Sequence, residues 1–564
     1  MTMRVYEALA RICAGAGVDT AFVLLGDANL LWALALTSDS DVRLVRARHE
    51  NAAVLMADGY ARRTGRVGLA SLTCGPGLTQ AATALTTAAR ARTPLVVVVG
   101  DTPRGLAYSL QEFPQQALVA STGARYRQLS NAPTATNGMR QAFAEAARDR
   151  IPVVVGVPVD VQAEFCPDEP DLAAACRMPS VSPARAPVAA PEAGDLDRVA
   201  ARLLDARRPV IVAGRGAVFS GARDALLAVA DEIGAYYGNT LRANGFFRDC
   251  AYDIGIVGGF STDSARGVLE SADVVLAVGA SLGHYTTDGG GLFRGAHVTQ
   301  LDISPQFWCQ GVRAADDYLV GDARLGAEGL LARIRAAGRP SGRDDRIAVN
   351  PAGPGGDTTG RFEGDGAGAL DPRRATEILN LALSEESFVV IGAGHFWNFA
   401  VLGLAAPKVG QVEYAPIHFG ATGDALALAI GSWSADRSTP VYAIEGDGSL
   451  FMALPELDTL ARERARVCVL VMNDSAYGAE VHKLRQLNLP EDCATYPTTD
   501  FASLARAMGL DGVTVDRDDG TLDTVLADFA ESGRPTVVDV RVSRSVVSTH
   551  LPPPITMSHG PVAP

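Results

Sequence analysis

EGDGSLFMALPELDTLARERARVCVLVMNDSAYGAE, residues 445–480, decides the fold. The run before it, PVYAIE (440–445), reads as a buried strand, and Gly446-Asp447-Gly448-Ser449 as the turn at its carboxyl end. Leu450, Leu454, Leu457 and Leu460 then recur at helical spacing. RVCVLVMN (466–473) is the next strand and ends on Asn473-Asp474. A strand, a crossover helix and a parallel strand bring both strand ends to one edge of the sheet, where ligands of open α/β sheets sit. Asp447 and Asn473 are therefore expected to be neighbours. A carboxylate, an amide oxygen and a free backbone carbonyl are hard ligands for Mg²⁺ or Ca²⁺, and Mg²⁺ fills its shell with phosphate oxygens and water. The glycines let backbone N–H groups approach a phosphate at a helix start. The pattern points to a metal-bound diphosphate. A plain β–α turn is the competing reading, and the Asn-Asp ending the next strand counts against it.

The rest of the chain repeats this rhythm. Its 564 residues are too many for one core, so about two to four domains are expected. Apolar strand-like runs at 67–72, 95–100, 152–157, 209–214, 273–279, 387–392 and 535–542 alternate with Ala/Leu/Arg-rich helical stretches. Continuous apolar strands between helices indicate parallel sheets covered on both faces. Two segments rich in Pro, Gly, Ala or Asp, 167–194 and 338–371, read as linkers. They divide the chain into three α/β domains with doubly wound parallel sheets, 1–166, 195–337 and 372–545, and leave a tail, 546–564. The net charge of −14 argues against a nucleic-acid or anionic-membrane partner. Eight cysteines without a CxxC pair suit a reducing, cytoplasmic setting. The start reads as an amphipathic helix rather than a signal peptide, and no apolar stretch has membrane-spanning length.

GDGS, with ND beginning 24 positions after its Ser449, resembles the signature of thiamine-diphosphate-dependent enzymes. The likeness runs along almost the whole chain and is to the acetolactate synthase, pyruvate oxidase and 2-oxoacid decarboxylase superfamily. It implies pyrimidine-binding, central and diphosphate-binding domains in that order. It implies Mg²⁺ held by Asp447, Asn473 and the carbonyl of Ser475, with Gly446, Gly448, Ser449 and Tyr477 around thiamine diphosphate. RHENAAVLMADGYA (48–61) resembles the family's cofactor-activating element and makes Glu50 the carboxyl on the aminopyrimidine N1′. An isolated glutamate there would be an ordinary helix-start carboxylate. SLTCGPGLTQA (71–81) resembles the adjoining turn, with Gly75 shaping the pocket behind Glu50. In the family the glutamate and the metal face each other across a subunit boundary, which implies a homodimer or homotetramer with interfacial sites.

Other positions bear on the reaction. FVLLGDANL (22–30) resembles a decarboxylase loop whose Asp faces substrate, so Asp27 is a candidate proton donor. A turn Asp is the competing reading. The decarboxylases' paired histidines have no match in 104–113, where Gln111 and Glu112 instead resemble the Phe-Gln-Glu element of synthases and oxidases. Glu480 and His482 follow the metal Asn on a helix that resembles a pocket-lining one, or they lie on its solvated face. IGAGHFW (391–397) resembles the loop that meets the diphosphate through Gly394 and His395. FGATGDAL (419–426) resembles the loop that wedges a bulky residue between the cofactor rings, but it offers Gly420 and Thr422. In the middle domain Gly-Ala-Ser (279–281) stands where FAD-binding relatives tend to read Gly-Ala-Arg, and Gly214-Arg215-Gly216 does not extend to GxGxxG, so FAD is not favoured. The expected activity is carbon–carbon cleavage or ligation on a 2-oxo acid, with an aldehyde or second 2-oxo acid as acceptor. A flavin-dependent oxidase and a non-catalytic subunit of the family are the alternatives.

Overall fold

The computed structural model describes residues 3–38, 40–106, 108–166, 189–303, 313–338, 346–347, 369–405, 408–548 and 550. Most of both expected linkers and the end of the tail lie outside the described residues. Three six-stranded sheets, each parallel throughout, fall within 20–158, 209–320 and 388–541.

The first sheet runs, in spatial order, Arg43–Arg46, Thr20–Val23, Gly68–Leu72, Leu95–Asp101, Pro152–Pro158 and Arg125–Gln128. The third runs Val412–Tyr414, Phe388–Ile391, Val441–Gly446, Val467–Asn473, Thr536–Arg541 and Asp511–Val515. Counted along each domain, both have the order 2-1-3-4-6-5. The middle sheet runs Asp253–Ile256, Tyr236–Asn239, Pro209–Ala213, Val274–Val278, His297–Asp302 and Asp317–Val320, the order 3-2-1-4-5-6 of dinucleotide-binding sheets. Central strands such as Pro152–Pro158 and Val467–Asn473 are buried at every residue, as their uninterrupted apolar sequences require. All nine strands expected from apolar runs are present. The strands without such a signal are short or polar, as in Arg125–Gln128 at a sheet edge, where one face stays wet.

The first and third domains share one apolar core. Its centre is the crossing of two helices, Glu50–Thr64 and Ala425–Ala435. The second, ALALAIGSWSA, is apolar all round and buried from Ala425 to Ser434, as expected of a helix covered on every side. A Cβ placed on Gly431 would lie 2.0 Å from the Met56 carbonyl oxygen, and one on Gly59 would lie 2.2 Å from that of Leu428. Only glycine permits backbones to approach so closely. Beside the crossing, Glu456 on the helix Glu456–Glu463 accepts the Arg48 backbone N–H at 2.9 Å, tying the chain just before Glu50 to the third domain.

Candidate active site

Gly446 pairs with Met472 in the register of the third sheet, so Asp447 and Asn473 leave adjacent strands side by side. Asp447 opens the helix Asp447–Ala453 and is buried, and its Oδ2 has no hydrogen-bond partner. Burial pushes its carboxyl up to about 6. Asp474 is half-buried, and burial, then the nearby Asp447, push it up to about 7. Asn473 donates its Nδ2 to Asp539 Oδ1 at 2.8 Å and to the Thr499 carbonyl at 3.1 Å. That arrangement turns Asn473 Oδ1 toward Ser475, whose N–H donates to it at 3.2 Å. Ser475 adopts φ +58°, a left-handed conformation that costs a non-glycine residue on the order of 1 kcal/mol. It is the kind of strain that clusters at ligand sites. Gly448 has no room for a side chain, because a Cβ would meet the Tyr477 ring at 2.7 Å and the Tyr496 hydroxyl at 2.8 Å.

The surroundings fix this edge. Ser449 is buried and its Oγ accepts the Gly423 N–H at 2.8 Å, holding the 419–424 loop to the helix. Gly420 and Thr422 are exposed on that loop. Thr422 Oγ1 lies 3.0 Å from Met452 Sδ, so a bulky apolar side chain stands beside the position where a wedge was expected. Gly394 precedes the helix Trp397–Gly403 at the end of strand Phe388–Ile391. His395 is buried, its Nε2 accepts the Ser548 N–H at 3.1 Å, and its ring lies 4.3 Å from that of His482. Burial, with the neighbouring His482, drives His395 down to about 3, so it is neutral at physiological pH. Glu480 is exposed on the helix Gly478–Gln486 and pairs with Lys483 at 3.3 Å. Glu445 is fully buried and pushed up to about 7 by burial, and it accepts the Ala425 N–H at 2.8 Å.

A second group gathers at the carboxyl edge of the first sheet, where strands Thr20–Val23 and Gly68–Leu72 pair. Asp27 is exposed on the loop that follows the first of these strands. Asn29 braces that loop, accepting the Gly26 N–H at 2.8 Å and donating to Ser71 Oγ at 3.0 Å. Cys74 Sγ donates to Gln111 Oε1 at 3.0 Å. Gly75, at φ +62°, lies so close to Gln111 that a Cβ would come within 2.7 Å of the Gln111 Cβ. Glu50 begins its helix half-buried, facing Gly77, where a Cβ would lie 3.8 Å from Glu50 Oε1.

The expected residues thus form two groups on two sheets. Asp447, Asn473, Ser475, Gly446, Gly448, Ser449 and Tyr477 share one edge, and Glu50, Asp27, Gln111 and Gly75 share the other. Asp539, Asn29 and Glu445 were not singled out from sequence. Asp539 lies in the apolar strand TVVDVR, where a lone acid is the one available signal. Among the described residues no three His, Cys, Asp or Glu side chains gather as a metal site. The Asp447 edge offers a mixed oxygen set instead: an unpartnered carboxylate oxygen, an amide oxygen and a turn carbonyl. Such a set fits a cation that shares its shell with phosphate.

Comparison with known proteins agrees with this architecture. Residues 3–122 match the N-terminal TPP binding domain of thiamine pyrophosphate enzymes, 196–330 their central domain and 400–540 their C-terminal TPP binding domain. The chain is 28% identical to a sulfoacetaldehyde acetyltransferase of Rhodobacter capsulatus, over 97% of this chain and 95% of that protein. It is 29% identical to the acetolactate synthase large subunit of Parasynechococcus marenigrum, over 95% and 87%. It is 27% identical to an acetolactate synthase of Mycobacterium leprae, over 93% and 84%. Three domain matches in the family order, on three parallel sheets, establish that the chain belongs to the thiamine-pyrophosphate-dependent enzyme family.

Proposed function

We propose that the protein is a thiamine-diphosphate- and Mg²⁺-dependent carbon–carbon lyase or ligase that acts on a 2-oxo acid and passes the resulting fragment to an aldehyde or second 2-oxo acid. The observation that carries this reading is the Asp447–Asn473 pair, held side by side by strand register with Asp447 Oδ2 unpartnered. Asp447, Asn473 and the Ser475 carbonyl would hold Mg²⁺, and the Gly446–Ser449 turn would receive the diphosphate. Thiamine diphosphate, when bound, supplies a nucleophilic carbon that attacks the substrate carbonyl and holds the electron pair freed as CO₂ leaves.

The chain's own residues orient and move protons. Glu50 would hold its proton toward the aminopyrimidine N1′. The Cys74 thiol engages Gln111 Oε1, which leaves the Gln111 Nε2 free to donate to a substrate carbonyl or carboxylate. Asp27, exposed on a braced loop, would protonate the product if no acceptor arrives. Gln111 at the same edge favours carboligation, and the synthase and acetyltransferase relatives agree with transfer of a fragment to a second molecule.

Each edge carries exposed apolar side chains: Leu30, Leu31 and Leu34 near Asp27, and Phe451, Met452 and Tyr477 near Asp447. A second copy would cover both, so the working unit is a homodimer, or a homotetramer of two such dimers, with the Glu50 edge of one chain on the Asp447 edge of the other. Among the described residues no helix is long and apolar enough to cross a membrane, and a cytoplasmic setting fits the scattered cysteines.

The test is CO₂ release from a panel of 2-oxo acids by protein loaded with Mg²⁺ and thiamine diphosphate, with and without aldehyde acceptors, with products identified by mass. Coupled hydroxyketone or acetohydroxy acid is expected, and Glu50→Gln should abolish turnover while retaining cofactor. Free aldehyde alone would shift the reading to simple decarboxylation. A chain that binds no cofactor would overturn it.

A further inference from the structure

Beyond the last strand, Thr536–Arg541, the chain returns to the Asp447 edge. The Val542 N–H donates to the Asn473 carbonyl at 3.0 Å, and the Ser543 N–H to the Leu370 carbonyl at 2.9 Å. Arg485, on the helix Gly478–Gln486, donates to the Arg544 carbonyl at 3.2 Å. Val546 and Ser548 are buried, and Val547 between them is exposed. His550 stacks on Phe260 of the middle domain, with ring centroids 5.6 Å apart. Phe260 in turn meets the Trp397 ring at 5.1 Å, two residues past His395. Residues 542–548 and 550 are thus anchored on both sides of His395.

His395 stands on the same edge as the Gly446–Ser449 turn. Its strand, Phe388–Ile391, pairs with Val441–Gly446, and a Cβ on Gly446 would lie 2.9 Å from the ring of the next residue, Phe396. A Cβ on Gly478 would lie 3.4 Å from the His395 Cβ and 2.5 Å from Asp474 Oδ2. The Ser548 backbone N–H donates to His395 Nε2 at 3.1 Å, and both residues are buried. A ring nitrogen that accepts a hydrogen bond does not carry the proton. His395 is neutral, so its single ring proton sits on Nδ1. His482 does not decide the tautomer, because neither of its ring nitrogens has a hydrogen-bond partner although the rings lie 4.3 Å apart. Among the described residues no group accepts from the His395 Nδ1–H.

The hydrogen bond made by one nitrogen of a histidine settles which proton the other nitrogen offers. Here the backbone of a distant segment makes that bond. We propose that the Ser548 backbone N–H fixes His395 as the Nδ1–H tautomer and so makes its imidazole a standing hydrogen-bond donor to the bound diphosphate. The inference rests on the thiamine-diphosphate reading above. His395 touches the cofactor, and Ser548 acts only through it, as a positioning residue. In the opposite tautomer Nδ1 would turn a lone pair toward the anion, and two acceptors repel. A neutral donor also suits this place, since it grips phosphate oxygens without adding a charge to a buried ring. The segment anchored on the third domain and on Phe260 therefore contributes to cofactor affinity through the place of one proton.

The test is calorimetric titration of thiamine diphosphate, in the presence of Mg²⁺, into full-length variants whose cofactor-free melting shows them folded. An asparagine places its amide nitrogen where the imidazole has Nδ1, and a glutamine places it where the imidazole has Nε2. His395→Gln should therefore bind at least about tenfold more weakly than His395→Asn, the size of a lost hydrogen bond to a charged group. Ser548→Pro removes the N–H, whereas Ser548→Ala keeps it. The proline variant should bind at least about threefold more weakly than the alanine variant, because the freed ring divides among tautomers and orientations of which one is competent. In the His395→Asn background that difference should vanish, which a merely structural role for the segment would not produce. Equal affinities of His395→Gln and His395→Asn would overturn the proposal and leave the thiamine-diphosphate reading standing. So would a proline effect that persists in the asparagine background. Wild-type protein that binds no thiamine diphosphate would overturn the proposal together with the reading beneath it.

Discussion

Asp447→Asn is expected to stabilise the cofactor-free protein while destroying its function. The side chain is buried with one oxygen unpartnered, and burial lifts its carboxyl from the ordinary 3.8 to about 6. That rise corresponds to up to ~3 kcal/mol of disfavour for the charged form in the folded protein. The native protein without cofactor therefore binds more protons than the unfolded chain between roughly pH 4 and pH 6. Its stability falls as pH rises through that window and stays low above it. An asparagine of the same shape removes the charge. At pH 8 the cofactor-free variant should melt a few degrees above wild type. The gap should narrow as pH falls from 6 toward 4 and the wild-type carboxyl takes up its proton. Adding Mg²⁺ and thiamine diphosphate should reverse the order, because only wild type gains a ligated cation. Melting curves from pH 4.5 to 8, with and without cofactor, measure all of this. A cofactor-free variant that melts at or below wild type at pH 8, or a gap indifferent to pH, would refute the reasoning.

Gly431→Ala should destabilise the chain by at least ~1–3 kcal/mol, since its Cβ would sit 2.0 Å from a carbonyl oxygen and force two helices apart. Gly267→Ala, in a helix with nothing within 4 Å, should instead stabilise by a few tenths to ~1 kcal/mol, and denaturant melts of the pair read both signs. Asp539→Ala frees the Asn473 amide to rotate and should weaken Mg²⁺ dependence of activity about tenfold or more, read as a shift in the Mg²⁺ titration midpoint. Cys74→Ala should lower kcat more than cofactor affinity by releasing Gln111, and Cys74→Ser should recover most of it.

The Asp447–Asn473 pairing was legible because two apolar strands and a helix of regular period leave only one way for their ends to meet. Glu50 and Gln111 were singled out through resemblance alone, since a helix-start glutamate and a loop glutamine carry no signal of their own. His395 was singled out by its resemblance to a loop that meets a diphosphate, but its Nε2 partner, the backbone of Ser548, lies far along the chain. Asp539 and Asn29 escaped because their meaning lies in contacts among distant segments.

The first and third sheets share one strand order, and the helices that cross at Gly59 and Gly431 occupy the same place in each, between second and third strands. The two domains are thus alike in topology and pack on one another through equivalent helices. After its third strand one copy carries Gly446-Asp447-Gly448-Ser449, and the other carries Thr73-Cys74-Gly75-Pro76-Gly77 at the matching position. One architecture thus sets an acid at one turn and none at the other, so like strand orders give two chemically different edges.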